Sequence, residues 1–114
     1  MATFEAVTHP LAFMHMEGGV KTVYVVPLTP EFSIASSGDR IEFEGLGSVT
    51  LGMPRRYRSL SELLEAEGWV NVVPEAEDAE QAATLIRSSS DWDARCEEAN
   101  GVLALRVRWA KRKA

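Results

Sequence analysis

At 114 residues, 46% hydrophobic and 25% charged, the chain has the size and composition of one globular domain, which excludes pervasive disorder and a fibrous class. A formal net charge of −5 argues against a protein that grips duplex DNA over its whole surface, because such binding needs many cations against phosphates. No apolar run approaches the ~18 residues of a membrane span and residues 1–10 lack a secretion pattern, so a single domain over 1–114 with a cytoplasmic or nuclear address and no membrane partner is expected.

Thr8 before His9-Pro10 reads as a helix start and Gly18-Gly19 as its stop, giving a helix over 9–17 with Leu11, Phe13 and Met14 toward the core. Residues 21–28 are too rich in β-branched and aromatic side chains for a helix, and their near-continuous apolarity predicts a strand covered on both sides, ended by Pro27 and Pro30. Lys21 stands at the entrance of that strand, and no other cation occurs in the first third of the chain. An ammonium there must reach water or line a cleft, since an unpaired charge is costly in an apolar core.

Turn residues 36–39 lead to a strand over 40–44 whose Ile41 and Phe43 share one face. Residues 48–58 read as a long strand broken near Gly52 and Pro54. Ser59-Leu60-Ser61-Glu62 fits a capping box for a helix ending at Gly68, with Leu60, Leu63 and Leu64 on one side. An extended connector is expected over 71–74, a helix opening at Asp78 with Ala82, Leu85 and Ile86 inward, and a further short helix between Trp92 and Ala99. The closing strand, 102–109, places Leu103, Leu105, Val107 and Trp109 on one face and Arg106 and Arg108 on the other, and residues 110–114 read as a frayed end. Strands outnumber helices and the helices fall between them, which predicts an α+β fold: a small β-barrel of mixed, largely antiparallel strands with helical insertions.

Cys96 is a lone cysteine without a disulfide partner, and with His9 and His15 it forms no metal-ligand pattern, so no metal and no cofactor are expected. Eight of the twelve cations fall in two stretches: Arg55, Arg56 and Arg58 around Tyr57, and Arg106, Arg108, Lys111, Arg112 and Lys113. Should these share a face, an acidic protein would carry a local positive patch.

Gly19-Val20-Lys21-Thr22-Val23 after a helix, the strand Gly38 to Phe43, the segment Tyr57 to Glu65 with Glu67-Gly68, Pro74 before an acidic helix, and Gly101-Val102-Leu103-Ala104-Leu105 together resemble the ASCH domain, a small barrel of PUA-like fold. The resemblance implies a cleft facing RNA or a nucleoside-like ligand, lined by the pattern G-x-K-x-x-E-x-R. This chain keeps Gly19 and Lys21 but has Tyr24 for the glutamate and Val26 for the arginine. A tyrosine with a pKa near ~10 is a poor base at neutral pH, and valine cannot clamp a phosphate, so the departure argues against catalysis.

The first reading is therefore a module binding single-stranded RNA or a nucleoside-type small molecule, with Lys21 in the cleft, Tyr24 beside it, and Arg55, Arg56, Tyr57 and Arg58 on the rim as stacking and phosphate-binding groups. The second is an amidohydrolase acting on an acylated nucleoside such as N4-acetylcytidine. One branch of the family resembles such an enzyme, using the lysine, a threonine where this chain has Tyr24, and a more distant glutamate; Glu42 and Glu62 are the candidate carboxylates here. The third is a protein-interaction adaptor presenting the acidic region 62–80 with Trp69 and Trp92 to a protein partner.

Overall fold

The computed structural model describes residues 1–113. Its strands are β1 (Thr3–Ala6), β2 (Val23–Pro27), β3 (Arg40–Phe43), β4 (Gly47–Leu51), β5 (Arg55–Tyr57) and β6 (Val102–Arg112). Its helices are α1 (Pro10–Glu17), α2 (Leu60–Glu67), α3 (Trp69–Val72), α4 (Ala79–Arg87) and α5 (Ala94–Asn100), with a 3-10 turn over Phe32–Ile34.

The strands form one curled sheet in the order β1-β3-β4-β6-β2, with β5 also on β6. Only β1 and β3 run parallel; the other pairings are antiparallel. This is an α+β fold built on a half-barrel, and β6 organises it. Its first half takes β2 on one edge and β5 on the other, and its second half takes β4. The expected long strand over 48–58 is thus two strands, interrupted at Gly52 and Pro54, both laid against β6.

The apolar pattern of β2 is explained by cover on both faces. Val23 and Val25 join a core formed with Leu60, Leu63 and Leu64 of α2, Val72 and Ala82, while Val26 joins Phe13, Ile41, Phe43, Leu103 and Leu105 inside the curl. Ser59 caps α2, its side chain accepting from the Glu62 amide at 3.2 Å, and Gly68 ends the helix at φ 87°.

Several expectations are corrected. α1 is capped by His9, whose ring accepts from the Leu11 amide at 3.1 Å, and it buries Phe13 and Met16 while Leu11 and Met14 face out. Residues 69–72 form the helical turn α3, so the first two residues of the connector expected over 71–74 are helical. In α4, Ala82 and Ala83 are the buried residues and Leu85 is exposed. Residues 110–112 continue β6 and pair with β4, and the Lys113 amide donates to Leu46 O at 2.8 Å; of the expected frayed end, Ala114 alone lies outside the described residues. Trp109 does not share the inner face of Leu103, Leu105 and Val107. A bulge opposite Thr50 and Leu51 adds one residue to β6, so Ala110 packs inward and the Trp109 ring turns to the outer surface, 57% exposed. Trp69 and Trp92 both pack partly buried against the helical core, which removes the exposed anchors of the adaptor reading.

Candidate functional site

The curl of the sheet stops short of closure, because β1 and β2 are its two ends and do not pair with each other. A cleft of about 500 Å³ occupies that gap. β1 and its following residues supply one wall, β2 the other, and α3 with the α4–α5 loop closes the end.

Lys21 is aimed into this gap by the chain around it. Both the Val20 and Lys21 amides donate to His15 O at 3.0 Å, and the Thr22 amide donates to Asn71 O at 2.9 Å, tying the segment to α1 behind and α3 beside it. The side chain is 8% exposed, and Nζ donates to the carbonyl of Val72. Burial pushes the ammonium pKa down to about 8, with Glu75 opposing the change. The amine therefore titrates within reach of neutral pH, and its free form is available at modest cost.

Tyr24 lies next along the wall, with Nζ of Lys21 6.0 Å from its ring centroid. Its ring is fixed edge-on to Phe43 at 5.2 Å. Burial first, and the Asp91 carboxylate second, push the phenol pKa upward, so Tyr24 is a neutral hydroxyl that donates or accepts a hydrogen bond and does not act as a base. Val26 is buried core and also borders the cleft.

The lining is acidic. Glu5, Glu31, Glu75, Asp91 and Asp93 all border it, and among the described residues Lys21 is its one Lys or Arg side chain. Phe32 and Trp92 add aromatic surface, with Trp92 held by its indole N–H on Glu97 Oε1 at 3.0 Å. Glu97 also takes the Arg87 guanidinium, Nε at 3.1 Å and Nη2 at 2.6 Å. That pair, chiefly the Arg87 hydrogen bonds, holds the Glu97 carboxyl below its ordinary range, and it braces the loop carrying Asp91 and Trp92.

The remaining residues proposed from the sequence lie elsewhere. β5 pairs with the opposite edge of β6 from β2, so two strand spacings, about 10 Å, separate Arg55 from Val25. Arg56 donates to Ser33 O at 3.1 Å, Arg55 and Arg58 are exposed, and the Tyr57 hydroxyl donates to Glu67, which also faces Arg106 at 3.4 Å. None of the four borders the cleft, whereas Lys21 and Tyr24 do. Glu42 and Glu62 are exposed residues of β3 and α2 outside it; Glu75, which sequence reasoning missed, is the carboxylate that acts on Lys21. Asp91 and Trp92 were missed as lining residues too. Among the described residues no group of three or more potential metal ligands comes together, and no helix is long and apolar enough to cross a membrane.

No family profile and no curated protein matches the sequence. Among solved structures, the crystal structure of hypothetical protein PH0355 is similar with a TM-score of 0.85 at 25% identity, over 96% of this chain and 99% of that one. The solution structure of protein PF0455 from Pyrococcus furiosus is similar with a TM-score of 0.75 at 26% identity, over 92% of this chain and 94% of that one. The half-barrel is thus a fold shared across nearly the full length of these two proteins.

Proposed function

We propose that the cleft between β1 and β2 binds a nucleoside-type small molecule lacking a phosphate, as a member of the ASCH-like, PUA-related group that Gly19 and Lys21 resemble. The observation that carries this reading is Lys21: an amine held almost out of water, with a backbone carbonyl as its hydrogen-bond acceptor, at the bottom of an open gap. Its ammonium and the Tyr24 hydroxyl can hydrogen-bond the carbonyl or ring nitrogen of a base, and Trp92 and Phe32 offer flat apolar surface. The acidic rim separates this ligand from RNA. Five bordering carboxylates against one lysine repel phosphates, and the arginines expected to meet a nucleic-acid backbone stand outside the cleft. Calorimetric titration with cytidine, N4-acetylcytidine and cytidine 5′-monophosphate tests it. Nucleoside binding that is lost in Lys21→Met and weakened by the 5′-phosphate is expected; tighter binding of the monophosphate, or no nucleoside binding at millimolar concentration, overturns it.

A hydrolytic reading is favoured by one specific observation, the coupling of Lys21 to Glu75. A lysine with a pKa of about 8 beside a carboxylate can take a proton from water attacking an amide carbonyl, releasing acetate and the free base amine. Acetate release from N4-acetylcytidine, abolished in both Lys21→Met and Glu75→Gln, is the expected result; absence of turnover at high enzyme concentration removes this reading while leaving binding intact.

A further inference from the structure

The helices cover the outer face of β6 only over its first half. Beyond Leu105 the outer face is bare, and the bulge opposite Thr50 and Leu51 concentrates side chains there, bringing the Arg108 guanidinium to 5.1 Å from the Trp109 ring. Two concavities lie along this stretch of β6, and the indole itself lines neither. One is bordered by Arg106, Arg108, Gly52 and the exposed Met53, the other by Lys111, Arg40 and Ser48. From Arg106 to Lys111 the strand runs about 17 Å, so cations and an aromatic alternate along one continuous track.

We propose that this face of β6, centred on Trp109, is a second docking surface, taking a single-stranded polynucleotide. The chemistry matches each component: an exposed indole stacks a base regardless of its sequence, and Arg108, Lys111, Arg40 and Arg106 neutralise phosphates along the strand. Arg106 also faces Glu67 at 3.4 Å, and Glu5, Glu42 and Glu44 border the Lys111 concavity, Glu42 lying opposite Ser48, the partner of Lys111, which limits the track to the Arg106–Lys111 stretch of β6. Glu67 offsets Arg106 and Glu5, Glu42 and Glu44 border the concavity of Lys111 and Arg40, so the positive charge is concentrated on Arg108, Lys111 and Arg40 around the indole. A second copy of the chain is disfavoured, because two such faces would oppose like charges. The Lys111 concavity meets the cleft at Glu5, Ala6 and Val7, whereas Trp109, Arg106 and Arg108 do not border the cleft.

Fluorescence anisotropy with labelled single-stranded RNA and DNA of about ten nucleotides tests the proposal on the full chain. With three or four phosphate contacts, affinity is expected to fall about 20- to 50-fold between 50 and 200 mM salt. Trp109→Ala is expected to weaken binding about 5- to 150-fold with partial rescue by Trp109→Phe, and Lys111→Gln to reduce the salt slope by about 0.7. Binding of either strand chemistry with these dependences supports the surface. Salt-insensitive binding, an unchanged Trp109→Ala, a slope reduced by Arg56→Gln in place of Lys111→Gln, or binding to anionic vesicles without binding to oligonucleotides overturns it. All these side chains are solvent-facing, so loss of binding with an unchanged unfolding curve reports the surface itself.

Discussion

Lys21→Met is predicted to change stability in a way that depends steeply on pH. Burial lowers the folded-state pKa of Lys21 from its ordinary 10.5 to about 8. Below 8 the lysine is charged in both states, and the folded chain carries the whole cost of holding the charge out of water. As pH rises through 8 toward 10.5, the folded state releases its proton while the unfolded state keeps one, so stability increases. At about 1.4 kcal/mol per tenfold change in proton affinity, the full gain is about 3 kcal/mol, of which about 2.5 kcal/mol is present by pH 10. Methionine cannot titrate, so the stability of the wild type minus that of Lys21→Met isolates this group from every other titration they share. The carbonyl of Val72 loses its donor in the variant, at about 1–3 kcal/mol, but this offset is the same across the window. Urea unfolding at pH 7, 8, 9 and 10 measures the difference, which is expected to move the relative midpoint by about 1 M. A difference that stays flat from pH 7 to pH 10 would refute the claim that Lys21 is held out of water.

Glu75→Gln removes the carboxylate that opposes this effect, so the Lys21 titration is expected to move below 8, read directly from the Nζ resonance by NMR. Glu97→Gln leaves Arg87 and Trp92 with a weaker acceptor and is expected to cost about 1–2 kcal/mol in urea unfolding. Because Glu97 is held below its ordinary pKa, its contribution to the wild type is present above that value and disappears as pH falls through the folded one. Gly101→Ala is expected to destabilise by on the order of 3 kcal/mol in thermal unfolding, since φ is 87° and a Cβ would stand 2.3 Å from the Tyr57 carbonyl oxygen.

The elements most legible in the sequence were those with local chemistry. The Ser59 cap, the Leu60, Leu63 and Leu64 stripe and the two-sided apolarity of β2 all follow from short-range pattern. β1 was not legible, because four residues carry too little alternation and their partner β3 lies 37 positions away. The buried side of α1 is not fixed by its sequence, since its apolar residues nearly surround the helix and only the packing of Phe13 and Met16 decides it. The exposure of Trp109 was hidden for a different reason: a bulge is set by strand pairing, and one added residue inverts every inward assignment after it. At the cleft, Lys21 and Tyr24 were found from position and resemblance. Glu75, Asp91 and Trp92 come from loops more than fifty residues downstream, and no spacing rule joins them to Lys21 before the sheet curls.

One strand, 102–112, holds β2, β5 and β4 in place, and it is translated after all of them. Until the ribosome has delivered it, those three segments have no common template and must wait with bare edges. Acquisition of the native state should then be a late, concerted event dominated by pairings distant along the chain, with refolding in the slow regime of such topologies, about milliseconds to seconds.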